Sequence, residues 1–537
     1  LPNTMGDMYE QYEEIAVSKP EENFTCIIDT ILKDSQKSSM TATLENVALL
    51  LHDMSTDEDE VAKNLTQLKT YIGSLGTWLG DAKTQPLMLD YITVQSKADA
   101  LPKAKAGFGA SLWHEITGFF QSFLRNYDRM GALTEIEEGA DDESVEVWLA
   151  YGRDQSQVIR NLSTNKFTPE TGIAVNLKLV AGSTLLPSIL AGMGPDVYLG
   201  IGQGEVINYA IRGALLTVDE KSDGTVRADF DEVTSNFTDA AMLVLGIGDA
   251  NDEYHYYGLP ETQAFPMMFV RIDVLADLGL EVPKTWDDLM ACIPTLQANN
   301  MQIGLPTDYK IFLYQQGGDL FADDGMRINL DSKIGLASFE KMCNLFTMYS
   351  FPYQYDAANR FRTGEMPILL GDYTGLYNQL KVFATEINGK WEFMPLPGEI
   401  RGYDEDGKAI INNVSISGVS ATVMVKGCDK TDSSWAVMKW YTGESCQVGF
   451  SNEMVAIMGP SAKQAVSNKN ALASLPWTTA ELEQIQNQFN NLGSVPNYPG
   501  AYIIDRYTNF AFLSAYNDNA NPSDSLLAYI NTINKEI

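Results

Sequence analysis

Val145-Glu146-Val147-Trp148-Leu149, Ala174-Val175-Asn176-Leu177-Lys178-Leu179-Val180 and Pro195-Asp196-Val197-Tyr198-Leu199 are three short β-branched and apolar runs. They are separated by two segments of helical character, Gln155 to Lys166 and Leu185 to Gly192. Strands spaced by helices predict parallel βαβ units with helices on both faces of the sheet. In such sheets ligands sit beyond the carboxyl ends of the strands. The connections Tyr151 to Gln155, Ala181 to Thr184 and Gly200 to Glu205 are therefore expected to share one rim.

Upstream of this pattern the chain reads differently. Val61, Leu65, Leu68, Ile72, Leu75 and Leu79 recur at four- and three-residue steps after the capping run Ser55-Thr56-Asp57-Glu58-Asp59, which describes one face of an amphipathic helix. Leu112, Ile116, Phe119, Phe120, Phe123, Leu124 and Tyr127 describe a second, and Leu44, Val47, Ala48 and Leu51 a third. Residues 1–143 are thus expected to form a helical unit whose apolar stripes are core packing. The acidic run Glu135 to Glu143 serves as its linker to the rest.

The whole chain has 537 residues, 45% apolar and 20% charged. It is too apolar for a disordered polymer and too long for one core, so two or three packed units follow. A formal charge of -34 repels phosphate backbones and anionic lipid, which excludes a nucleic-acid partner. No stretch reaches the roughly 18 apolar residues of a membrane helix, so no direct membrane insertion is expected. The sequence opens Leu1-Pro2-Asn3 without a start methionine or signal peptide, and a removed upstream segment is expected. The five cysteines, Cys26, Cys292, Cys343, Cys428 and Cys446, show no CxxC spacing. They read as small buried apolar residues rather than a disulfide or zinc framework.

Motifs for metal, nucleotide or acyl chemistry fail at identifiable positions. Gly200-Ile201-Gly202-Gln203-Gly204-Glu205 has a carboxylate where a dinucleotide fingerprint needs its third glycine. His114-Glu115 lacks the second histidine of a zinc helix, which would fall at Gly118. Asp404-Glu405-Asp406-Gly407 lacks the first and twelfth ligands of a calcium loop and reads as a solvated turn. No phosphate-binding loop or nucleophile elbow occurs. Neither a cofactor nor a metal is expected. Carboxylate pairs for glycoside hydrolysis can always be drawn among 71 acidic residues, and sequence places none of them at the required separation.

Longer matches carry more. Gly194-Pro195-Asp196-Val197 is followed by Arg212-Gly213-Ala214-Leu215-Leu216-Thr217-Val218-Asp219. Tyr257-Gly258-Leu259-Pro260-Glu261-Thr262-Gln263 then leads to Phe269-Val270-Arg271-Ile272-Asp273-Val274-Leu275 and Pro283-Lys284-Thr285-Trp286-Asp287-Asp288-Leu289. Phe361-Arg362-Thr363-Gly364-Glu365-Met366-Pro367 and Gly389-Lys390-Trp391-Glu392-Phe393-Met394-Pro395 come next, and Asn521-Pro522 with Leu526-Leu527 closes the series. In this order and spacing the segments resemble extracellular solute-binding proteins of bacterial ABC importers, in their sugar-binding, maltose-binding-protein-like branch. The resemblance spans about residues 145–537.

That resemblance implies a two-lobe periplasmic-binding-protein-like α/β fold of type II, preceded here by the helical unit. Lobe 1 would comprise residues 144–262 plus 416–460, and lobe 2 residues 263–415 plus 461–537. The chain would cross near Leu259 to Phe265 and near Val414 to Gly418, and return after about Met458. The implied function is a non-enzymatic receptor that captures an oligosaccharide between the lobes and delivers it to ABC permease subunits. The alternative is a carbohydrate-active enzyme or surface lectin independent of a transporter. A monomer outside the membrane is expected, held by a lipid anchor or by an upstream segment. The segment Gln85-Pro86-Leu87-Met88-Leu89-Asp90-Tyr91-Ile92 looks like a connecting unit of larger, multi-module versions in Gram-positive gut-type bacteria.

Sugars present apolar ring faces and hydroxyl edges, so their sites need aromatic platforms beside charged and amide groups. Tyr151, Arg153, Asp154 and Gln155 in the first connection, and Gln203 and Glu205 in the third, are candidates. Glu261 and Gln263 stand at the first crossing. The resemblance adds Asp308, Tyr309, Asp372, Tyr373 and Tyr377 from the second lobe, and Tyr498, Tyr502 and Arg506 from the late segment. Each tyrosine has a packing alternative, and Arg153 and Arg506 an ion-pair alternative. Trp148, Trp286, Trp391 and Trp440 read as core, and Asp196 as a group that orients the third strand.

Overall fold

A computed structural model describes residues 47–52, 54, 64, 144–248, 254–322, 327–459, 461–496 and 500–537. The helical stripes at 61–79 and 112–127, the acidic linker and the connecting segment 85–92 lie outside the described residues. Of the third stripe, residues 47–50 are helical and Val47 is buried. The chain divides into two compact units, Leu1–Asn126 and Tyr127–Ile537.

Thirteen strands are described in the second unit. They are β1 (Val145–Leu149), β2 (Val175–Leu179), β3 (Val197–Gly202), β4 (Gly246–Gly248), β5 (Tyr254–Tyr256), β6 (Leu259–Ala264) and β7 (Pro266–Val270), followed by β8 (Ile303–Gly304), β9 (Ile368–Asp372), β10 (Glu392–Met394), β11 (Glu399–Tyr403), β12 (Ala409–Asn412) and β13 (Gly418–Met424). Two sheets dominate, one of order β2-β1-β3-β13-β6 and one of order β10-β7-β9-β8. The fold is mixed α/β with two lobes.

β1, β2 and β3 are parallel, as the sequence predicts. Their alternation buries both faces of the first sheet. Val145, Val147 and Leu149 enter one apolar cluster with Val197 and Leu199, while Tyr198 and Ile201 enter another, against which Trp148 packs. Asp196 orients the strands as expected, its Oδ2 accepting from the Glu146 amide at 2.9 Å. The second sheet is likewise covered on both faces. Met268 and Val270 of β7 face one cluster, and Met267 and Phe269 face the other. Trp286 and Trp391 are buried, and Trp440 is a half-buried packing residue.

Helix boundaries differ from the sequence reading at the rim. The first helix, α1 (Arg153–Leu162), begins two residues early because the Gln155 side chain caps the Gly152 amide. It continues as a short π-helical stretch, Ser163–Phe167. β3 runs on to Gly202, and α2 (Gln203–Ile211) starts at once. The segments 153–155 and 203–205, expected as loops, are therefore first turns of helices.

Register fixes how the sheets meet. β13 pairs antiparallel with β3 (Ser420 opposite Gly202) and with β6 (Gly418 opposite Ala264). The end of β6 and the start of β13 thus lie at the carboxyl ends of β1, β2 and β3. One residue, Phe265, separates β6 in the first sheet from β7 in the second. In that second sheet Pro266 stands opposite Asp372, the carboxyl end of β9, and β8 runs parallel to β9. The strand ends of both sheets consequently face the crossing. Residues 414–418 form a second span, with Ser415 paired to Leu492. A third approaches at 465–467, where the Gln263 amide donates to the Ala465 carbonyl and the Ser467 amide to the Glu261 carbonyl.

Phe265 is 1% exposed and stacks on Tyr373 with centroids 4.4 Å apart. Truncation there leaves a cavity between the sheets. Phe265→Ala is expected to cost about 3–5 kcal/mol, read as a lowered urea midpoint.

Candidate functional site: the rims of the two sheets

On the first sheet the rim connections come together through side chains. A β-carbon added at Gly200 would lie 2.5 Å from the Tyr151 hydroxyl, and Gly200 has φ of +80°, so glycine is required on both counts. A β-carbon at Gly182 would lie 3.1 Å from the Tyr198 hydroxyl. The three connections thus share one rim.

Glu261 lies under that rim and is 4% exposed. Its Oε1 accepts from the Tyr151 hydroxyl and, at 2.8 Å, from the Tyr441 hydroxyl. Tyr441 belongs to α3 (Thr431–Thr442). Burial pushes the Glu261 carboxyl up, against the opposing pull of the two tyrosines and the Gly200 amide. Burial, reinforced by Glu261, also holds the Tyr151 phenol well above its ordinary value. Both side chains nominated from sequence are thus engaged with one another.

Gln263 is fully buried. Its carbonyl oxygen accepts from the Thr238 hydroxyl at 3.0 Å, and its amide donates to the Ser417 hydroxyl at 3.0 Å. As placed, it ties the two crossing spans together and presents nothing to solvent. Gln203, half-buried, accepts from the Val419 amide at 2.8 Å. Arg153 and Asp154 in the first turn of α1, and Glu205 in the first turn of α2, are exposed. Gln155 is half-buried and occupied in its cap.

The second sheet's rim is built from the turns after β8 and β9. Asp372 caps the helix Tyr373–Phe383, accepting from the Gly375 amide at 2.5 Å and the Thr374 hydroxyl at 3.0 Å. Burial raises its carboxyl. Tyr373 and Tyr377 depart from the platform reading. Tyr373 is fully buried against Phe265. Tyr377 is buried edge-on among Trp391, Phe393 and Trp477. Both rings are core because the helix face that carries them packs into the apolar cluster that contains Phe265, Met267 and Phe269. The Tyr373 hydroxyl has no hydrogen-bond partner among the described residues.

Asp308 caps the helix Tyr309–Gln315 and is one-third exposed. Burial raises its carboxyl while Lys310 draws it down. Lys310 Nζ lies 2.7 Å from Asp505, which joins the turn after β8 to the start of the helix Ala501–Asp518. A cavity of about 170 Å³ opens here, lined by Thr307, Asp308, Tyr309, Asp505 and Asn509 among others. Tyr309 is buried edge-on against Phe339, and its hydroxyl has no partner among the described residues.

One turn before Asp505's successor Arg506 stands Tyr502, 67% exposed. The Arg506 guanidinium lies 5.9 Å from its ring centre and 3.3 Å from Glu536. Tyr498 lies outside the described residues. The sequence reading missed Tyr441, Lys310 and Asp505. Tyr441 is 180 residues from its carboxylate partner, and no local pattern signals such a pairing.

Asp404 accepts from the Asp406 and Lys408 amides at 3.0 and 2.8 Å, within the turn joining β11 and β12. It is a hairpin turn, as read. Cys292, Cys343, Cys428 and Cys446 are free and buried, also as read. Among the described residues no helix is long and apolar enough to cross a membrane.

A family model described as "Bacterial extracellular solute-binding protein" matches residues 153–447. Its name denotes binding proteins rather than enzymes. Among solved structures, the chain is similar to the sugar-binding protein MalE of Xanthomonas citri, at 16% identity and a TM-score of 0.58, over 73% of this chain and 96% of that one. It is also similar to a cyclo/maltodextrin-binding protein complexed with maltotetraose, at 18% identity and a TM-score of 0.57, over 73% and 97%. The maltose-binding periplasmic protein MalE of Listeria monocytogenes, in complex with maltose, gives 15% identity and a TM-score of 0.57, over 74% and 98%. No curated protein matches the chain's sequence.

The buried Glu261 predicts a pH dependence with a definite sign. Its folded pKa lies above the unfolded value, so the native state holds this proton more tightly. The associated stability is complete below the unfolded carboxyl pKa and is lost as pH rises through the folded one. Glu261→Gln removes that loss. Relative to the parent chain, the variant is expected to gain thermal stability steadily from about pH 4.5 toward neutrality, whereas parallel melting curves across the range would refute the assignment.

Proposed function

Because this chain belongs to the bacterial extracellular solute-binding proteins, we propose that it captures an oligosaccharide between its two lobes and passes it to the permease of an ABC importer. The observation that carries the reading is the register around Phe265, which turns the strand ends of both sheets toward one crossing. A solute seated there would touch both lobes and so favour the closed arrangement over the open one. The maltose- and maltotetraose-bound relatives support a sugar as that solute.

The groups we assign to the solute are those the rims leave accessible. Arg153, Asp154 and Glu205 belong to lobe 1, with the half-buried Gln155, Gln203 and Tyr151 behind them. Asp308, Asp372, Tyr502 and Arg506 belong to lobe 2. Tyr502 supplies the aromatic face, since it is the exposed ring next to the Lys310–Asp505 ion pair. Gln263, Tyr373 and Tyr377 act as supports under the surface. Lobe 1 is assigned residues 144–262 and 416–460, and lobe 2 residues 263–415 and 461–537. A monomer held at the outer face of the membrane by a lipid anchor or an upstream segment suits delivery to a permease.

Calorimetry against maltodextrins, xylo-, manno- and pectic oligosaccharides tests the assignment. One of these classes is expected to bind with one-to-one stoichiometry, and Tyr502→Ala to weaken it about tenfold, the loss of roughly one stacking contact. Tyr373→Phe, which deletes a buried hydroxyl without a partner, is expected to leave affinity unchanged and stability equal or higher. Tight binding of a peptide or polyamine with no glycan bound, or release of reducing sugar on incubation, would overturn the reading.

A further inference from the structure

We propose that Asp219, Glu220 and His255 form a site for one divalent transition-metal ion of the zinc class, on the first lobe and remote from the solute rim. The donor atoms of the three side chains lie within 4.8 Å of one another. His255 Nδ1 is 3.1 Å from Asp219 Oδ2 and 4.0 Å from Glu220 Oε1. Bonds of about 2.0–2.2 Å in tetrahedral array set donors about 3.3–3.5 Å apart, so small side-chain adjustments bring the three onto one ion. Water completes the fourth position.

Backbone pairing holds these donors in place. The Tyr256 amide donates to Asp219 Oδ1 at 3.1 Å, which leaves Oδ2 turned toward His255. The Val218 amide donates to the Tyr256 carbonyl, and the Arg227 amide to the Asp219 carbonyl, each at 2.8 Å. The side chains of Asp219, Glu220 and His255 are 13%, 30% and 20% exposed. Two carboxylates are thus drawn partly out of water, and among the described residues neither pairs with a Lys or Arg. A divalent ion would neutralise both. Imidazole with carboxylate favours zinc over calcium or magnesium, which prefer all-oxygen sets.

The position separates this site from the solute. Leu216 pairs with the Met424 carbonyl, and Met424 stands opposite Val197 at the amino end of β3. That is the far end of the sheet from the crossing, roughly 15 Å along β6 at about 3.3 Å per residue. A bound ion would staple β5 to the segment 218–227 rather than take part in solute capture.

The test is calorimetric titration of the metal-stripped full chain with zinc chloride, with calcium and magnesium chloride in parallel. One zinc site is expected, weakened tenfold or more by His255→Ala and by Glu220→Gln, and not displaced by millimolar calcium. Glu220→Gln alters a partly exposed side chain, so it reads the site even if His255→Ala disturbs the hairpin. Zinc should raise the melting temperature of the parent chain and not of either variant. Equal zinc binding by parent and Glu220→Gln, or equal competition by calcium, would mark nonspecific uptake by an acidic surface and overturn the proposal.

Discussion

The antiparallel pairing of β13 with both β3 and β6 is the constraint on which the rest depends. Without it, three parallel strands would form an ordinary βα sheet whose carboxyl rim faces solvent. With it, the chain is brought back so that β6 ends level with that rim, at Ala264 opposite Gly418. The next strand begins after one residue, in the second sheet. The apposition of two rims is therefore a result of register, and burial of Phe265 against Tyr373 holds the link in place. Gln263 reinforces it by holding Ser417 across the spans.

The first sheet was legible because its strands are continuous β-branched runs set between helical segments, and backbone periodicity carries that information locally. The rims were less legible. Arg153 and Gln203 looked like loop residues because each directly follows a glycine in the connection after a strand, yet Gly152 and Gly202 serve directly as helix N-caps, and the helices start with no intervening turn. Tyr373 and Tyr377 looked like platforms because the family resemblance implies solute-contacting groups at their positions. Their helix packs its face into the apolar cluster of the second sheet, and burial of two large rings outweighs any gain from leaving them to stack on a solute. Which tyrosine stays exposed is decided by packing between distant segments, and Tyr502 is no different from Tyr377 until those segments are assembled.

Glu261 shows the same limit in electrostatic terms. A carboxylate beside a predicted cleft reads as a hydroxyl acceptor, but its partners are protein hydroxyls from residues 151 and 441. It acts through Tyr151, fixing the first residue of the rim to the strand that leads into the crossing. Rim shape and strand position are thereby coupled through a buried polar contact that excludes water, a stiffer arrangement than two surface loops would provide.

The one-residue link between the sheets has an evolutionary corollary. Side chains along extended chain alternate strictly, so adding or deleting a residue at position 265 would exchange the two faces of β7 and send Met268 and Val270 where Met267 and Phe269 now pack. Surface turns such as the one between β11 and β12 tolerate changes of length, but this junction does not. A chain that keeps this fold is therefore expected to keep the spacing from β6 to β7 even where its composition changes, and an alignment of relatives would show length changes elsewhere before it showed one here.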